Sequence, residues 1–109
     1  MTEWFVDDDA GYAGWLEGHP DGVVLNTWAH PAASDLVLHR ASCRMINRRL
    51  SPGRTWTHTF GKACADTIEE LLTWAIVRTH DVPQACRICD VTGAGIKATG
   101  ASRLPLETA

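Results

Sequence analysis

The chain has 109 residues, 45% apolar and 21% charged, which is the make-up of one globular domain and too little for two. Its net charge of −3 does not by itself call for a polyanionic partner. No apolar run approaches the roughly 20 residues that cross a bilayer, and the acidic start Met1–Asp9 lacks the basic-then-apolar layout of a secretory signal.

These bounds predict a soluble cytoplasmic protein with no membrane partner. In that compartment the four cysteines read as metal ligands or free thiols rather than disulfides. Five tryptophans are many for this length, and large rings suit a small core that must bury much area with few residues.

Asp7–Asp9 predicts a helix start, because carboxylates cap free amides and oppose the helix dipole. Tyr12, Trp15 and Leu16 then recur at helical spacing, which predicts a short amphipathic helix over about 9–18. His19-Pro-Asp-Gly22 is a turn cluster, and Val23–Trp28 reads as a strand. His30–Ser34 is a loop, and Leu36–Leu38 begins a second strand that could close a hairpin with the first. Cys43–Arg49 reads as a short helical turn, and Ser51-Pro-Gly53 interrupts the chain. Thr55–Phe60 alternates threonine with aromatic residues and histidine, which predicts a third strand. The clearest helix follows. Asp66 or Thr67 caps it, Glu69 and Glu70 fill its first turn, and Ile68, Leu71, Leu72, Ala75 and Ile76 form one apolar stripe ending near His80. The pattern as a whole is α+β: a small antiparallel sheet with two helices, in a domain over 1–92 followed by a flexible tail over 93–109.

Charge is split along this pattern. Residues 1–38 hold seven acids and no lysine or arginine, whereas residues 39–62 hold Arg40, Arg44, Arg48, Arg49, Arg54 and Lys62 and no acid. The split reads either as internal pairing between the two halves or as a patch for an outside anion.

Two ligand pairs stand out. Cys86 and Cys89 are two residues apart, a gap that lets both sulfurs reach one ion while amides of the turn bond to them. His39 and Cys43 share one face if their segment turns helically. Together they make a His-Cys-Cys-Cys set suited to a closed, structural zinc site. Buried thiols and a redox pair are the competing readings. A redox pair normally opens a helix after a strand, but here it follows a helix and Pro83. Cys64 is the alternative to His39 as fourth ligand; the local spacing of His39 and Cys43 favours His39.

The run Leu38-His-Arg-Ala-Ser-Cys43-Arg44, a strand, a helix and then Cys86-Arg-Ile-Cys89 resembles the zinc-binding module of Ada-type DNA repair proteins over about residues 36–90, with a longer stretch between the ligand pairs. In that family one zinc-bound cysteine accepts alkyl groups. His39 stands at the first cysteine's position, so the resemblance implies a structural ion here. Gly11–Leu16, His19–Asn26 and Leu38–Cys43 are also similar to small bacterial domains found alone or fused to HNH-type restriction nucleases, which implies a restriction or defence setting. The HNH catalytic motif itself has no counterpart in this chain.

These observations predict a non-catalytic module that binds DNA through Arg40, Arg44, Arg48, Arg49, Arg54, Trp56 and Lys62, with arginines on phosphates and the indole on a base. The alternative is a protein-interaction module that uses tryptophans exposed together and the split charge, with a protein partner or fused nuclease and no nucleic-acid contact. An enzyme built on His19, His30, His58, His80 or Cys64 is not expected, since no catalytic signature surrounds any of them.

Overall fold

The computed structural model describes residues 1–32, 35–48, 50–89 and 91. Arg49, residue 92 and the expected tail at 93–109 lie outside them. The first strand, β1 (Glu3–Phe5), leads through three aspartates into α1 (Asp9–Gly18). Asp8 is the cap: its carboxylate accepts from the Gly11 amide at 2.9 Å, a bond worth about 1 kcal/mol. Then come β2 (Val23–Trp28), β3 (Val37–Arg40), the single turn α2 (Arg44–Asn47), β4 (Phe60–Ala65), α3 (Ile68–Thr79) and β5 (Gln84–Ala85). At the start of α3, Thr67 Oγ1 accepts from the Glu70 amide, satisfying one free amide of the first turn, and donates to Glu70 Oε2. The helix stops at His80, whose left-handed backbone (φ 61°) lets its amide donate to Ile76 O.

The five strands form one sheet in the order β1-β4-β2-β3-β5. The α+β class holds, with two additions. The sheet is antiparallel except for β5, which runs parallel to β3, and the helical turn at 44–47 makes a third helix. No helix among the described residues is long and apolar enough to cross a membrane.

Strand pairing sorts side chains onto two faces, since successive residues of a strand point to opposite sides. Leu25 stands opposite Leu38 and Ala63. These, with Val23 and Ala65, pack against the fully buried Leu71 and Ala75 of α3. Trp4 joins this side and rests on Trp74 with ring centroids 4.9 Å apart. It can do so only because residue 61 is glycine: a Cβ there would overlap the Trp4 ring. On the other face Val24 stands opposite His39 and Cys64, and Asn26 opposite Val37 and Lys62. Tyr12 and Trp15 of α1 and Ile46 of α2 cover Val24 and Cys64 there. The buried Tyr12 hydroxyl donates to Ile46 O at 2.6 Å, tying α1 to α2.

The expected third strand at Thr55–Phe60 is corrected: β4 begins only at Phe60. Asp9 takes the backbone amides of the earlier residues. Its carboxylate accepts from the Trp56 and Thr57 amides, each at 2.9 Å, and from Thr57 Oγ1 at 2.6 Å. Thr57 O and Oγ1 in turn accept from the Asp7 and Asp8 amides. Residues 55–59 thus form a strap pinned to the start of α1, not a rung of the sheet.

Candidate functional site

His39, Cys43, Cys86 and Cys89 offer one ligand atom each, all within 4.8 Å of one another, which is close enough to hold a single metal ion. The fold assembles them by register. Leu38 pairs with Ala85 in the parallel β3–β5 ladder, so one residue further on Cys86 falls beside His39. The Cys86 amide continues that ladder, donating to Leu38 O at 2.9 Å. Cys86–Cys89 then turns sharply, with the Ile88 amide donating to Cys86 Sγ at 3.3 Å. On the other side β3 ends at Arg40, and a tight turn closed by the Cys43 amide on Arg40 O returns Cys43 to the site.

His39 and Cys43 therefore share no helix. His39 belongs to a strand and Cys43 caps the following helical turn. Their three-residue gap works through a turn, not through helical periodicity.

Several details fit a metal ion. His39 Nδ1 is buried and has no hydrogen-bond partner among the described residues, which is costly unless something else occupies its lone pair. Burial, helped by the charge of Lys62, lowers the His39 pKa to about 4, so the ring is neutral and able to ligate at neutral pH. Cys43 Sγ and Cys86 Sγ lie 3.9 Å apart and are free thiols, not a disulfide. Burial pushes the Cys43 thiol up to about 12. Burial acts the same way on Cys86, but amide hydrogen bonds from Cys89 and Ile88 and the Cys43 thiol hold it below its ordinary value. An ion of charge +2 would favour the thiolate form of a cysteine that ligates it. The Arg40 amide donates to Cys89 Sγ at 3.3 Å and its Nε to Cys89 O at 3.1 Å, the kind of outer support that orients metal ligands. Three sulfurs and one imidazole nitrogen, with no carboxylate in the group, make a donor set suited to zinc.

Cys64 is not among these four. It lies fully buried in β4 against Val24, and burial raises its pKa. It is a core residue.

Beside the metal cluster runs an open groove of about 760 Å³, with His39 and Cys86 in its wall. Arg48, Arg54, Lys62 and Arg87 bring positive charge to it, and Trp56 and Phe60 bring rings. None of its described lining residues is Asp or Glu. Among the described residues, Arg48, Arg54 and Arg87 form no ion pair. Of the basic segment 39–62, Arg48 and Arg54 thus show no ion pair with the described acids of residues 1–38.

Seven residues were expected at a nucleic-acid surface, and the fold separates them. Arg48, Arg54, Trp56 and Lys62 line the groove. Arg44 is exposed and not among its lining residues, Arg40 is engaged with Cys89, and Arg49 lies outside the described residues. Lys62 is not on the outer surface: it is only 2% exposed, because its register with Phe5 and Asn26 turns it under α1. Its ammonium donates to Trp56 O at 2.6 Å and sits 5.8–5.9 Å from the centroids of Tyr12, Trp56 and Phe60. Burial lowers its pKa to about 8, against the pull of Cys64 and Asp9.

Arg87, Phe60, Asn26 and Gln84 also line the groove and were not foreseen. Arg87 had a sequence signal, a cation inside the Cys86–Cys89 turn, but only the β3–β5 pairing points that turn at the groove.

The tryptophans are not exposed together. Trp15 is buried, Trp4, Trp56 and Trp74 are half-buried, and Trp28 alone is exposed, at 39%, stacked on Phe60 with centroids 4.7 Å apart. Of the histidines, His19 stacks on Trp15, His58 pairs with Asp7 at 2.6 Å and His80 ends α3.

Comparison with protein-family models, with curated proteins and with solved structures returned no match. These comparisons do not support the expected resemblance to Ada-type modules or nuclease-fused domains; what the structure shows is four ligand positions brought to one point.

Proposed function

We propose that the protein is a zinc-stabilised recognition module that binds nucleic acid, with DNA as the expected form, through the groove beside the metal cluster. One observation carries this reading: a groove with Arg48, Arg54, Lys62 and Arg87 in its lining and no carboxylate among its described residues. Guanidinium groups on such a surface attract phosphates and displace the counterions condensed on the nucleic acid. The resemblance to a DNA repair module supports DNA, and the similarity to nuclease-fused domains supports a restriction or defence setting. The zinc has a structural part in this reading. His39, Cys43, Cys86 and Cys89 would hold the ion between them and would leave no open position for substrate, and the module acts by binding rather than by catalysis.

The test is a salt titration of binding to a mixed pool of single- and double-stranded DNA, with zinc assayed in the same protein. The expected result is one zinc per chain and an affinity that falls steeply with salt, the slope reporting the number of phosphates contacted. No binding at low salt by fully zinc-loaded protein would overturn the nucleic-acid reading and leave a protein partner in its place.

A further inference from the structure

We infer that the groove takes an unpaired nucleotide of a single strand, with its phosphates on the arginines and its base against Trp56. This rests on the nucleic-acid reading above and narrows it to one form of ligand.

Size is the first argument. A space of about 760 Å³ falls within the range of about 300–1,000 Å³ that holds a small ligand. A duplex keeps its bases stacked inside and shows only their edges in its grooves, so it could not lay a base flat against a ring of this groove. The second argument is the chemistry of the inner wall. Trp56 and Phe60 are half-buried rings, and Asn26 and Gln84 add two amides to the same lining. Rings stack on bases without regard to sequence, and amides pair with base edges. A groove meant only for duplex phosphates needs neither.

The third argument is Lys62. The buried Lys62 ammonium is drawn towards Asp9 but forms no ion pair among the described residues, which leaves its burial expensive, and an apolar side chain of similar length would pack between the same rings at less cost. The fold holds the Lys62 amine in the wall of the groove between Trp56 and Phe60, 5.9 Å from each ring centroid. An occupant that suits the position joins an aromatic plane to a negative charge a few ångströms away, and a nucleotide does so.

The experiment compares a short single-stranded oligonucleotide with its own blunt duplex on the zinc-loaded full chain, read by anisotropy and by tryptophan fluorescence. The expected result is at least tenfold tighter binding of the single strand, with quenched tryptophan emission. Trp56→Leu should remove that preference. Because Trp56 packs beside Tyr12 and its replacement could unfold the chain, Gln84→Ala is the second variant. Gln84 is exposed on an edge strand, so its loss should weaken single-strand binding several-fold and leave duplex binding unchanged. Equal or tighter duplex binding with the same salt slope would overturn this inference and leave nucleic-acid recognition standing. Binding of neither form at low salt would overturn both. An acidic peptide that binds as tightly as the single strand would overturn the inference in favour of a protein ligand.

Discussion

The two faces of the sheet are built to different rules. The α3 face is plain packing: Leu25, Leu38, Ala63 and Ala65 meet Leu71 and Ala75, with no polar group among them. The α1 face also buries apolar residues, but it adds His39 with an unpartnered nitrogen, three thiols gathered at one point and a lysine ammonium among rings. Polar groups buried at a cost to stability tend to mark function. One face holds the domain together mainly by buried area, with the buried Thr27 hydroxyl bonding locally to Ala32. The other gathers four residues close enough to hold a metal ion, which would supply part of its stability, and carries the charge that a ligand would meet.

The strongest way to break the comparison is at the metal. Cys86→Ser, or removal of zinc by a chelator, should abolish cooperative thermal unfolding, because a structural site of this kind carries apparent binding free energy on the order of 10 kcal/mol that appears as folding free energy. Retention of the full melting temperature by a zinc-free variant would reduce the cluster to buried thiols. Next comes Leu71→Ala on the opposite face. It should cost about 3 kcal/mol through lost burial and a residual cavity, while zinc content measured in the same sample stays at one per chain.

A smaller effect is expected at Asp9, and it is visible only in acid. Burial raises the Asp9 pKa, but the bonds from Thr57 and Trp56 outweigh it and hold the pKa below the ordinary carboxylate value. A carboxylate depressed by folding stabilises above its unfolded pKa, and that contribution is lost as pH falls through the lower, folded one. Denaturant unfolding should therefore show wild type losing stability below about pH 4, with Asp9→Asn less stable at neutral pH and flatter across that window. A parallel fall in both proteins would mean that Asp9 does not hold the strap.

The smallest change in stability is expected at Lys62→Met, which exchanges a buried charge for an apolar chain of similar length. Its melting temperature should hold or rise, while its affinity for single-stranded DNA falls several-fold. A variant that melts lower and binds unchanged would make Lys62 a structural residue only.

The elements legible in the sequence are those whose signals are local. Asp8 capping α1, the β-rich run Val23–Trp28, and Thr67 with Glu70 starting α3 each act within a few residues. The strap at 55–59 was misread because what pins it, Asp9, lies 47 and 48 residues away from the amides it accepts. The short strands β1 and β5 span three and two residues and leave no periodic trace. The ligand set was legible because two short gaps, His39 to Cys43 and Cys86 to Cys89, kept each half local, even though a turn rather than a helix spans the first. The groove was only half legible. A run of cations marked its residues, but burial of Lys62 and the presence of Arg87 follow from strand register, which no local pattern encodes.

The two-residue ladder between β3 and β5 has a consequence for the metal-free chain. So short a strand holds its place weakly, and the ion that joins Cys86 and Cys89 to His39 and Cys43 would act as its latch. Loss of the ion would let β5 swing away and leave the amides and carbonyls of β3 as an open sheet edge, which pairs readily with another chain. The cost of losing zinc would then appear first as self-association, with oxidative or chelating conditions turning the module into a seed for aggregates before the α3 face has begun to unfold.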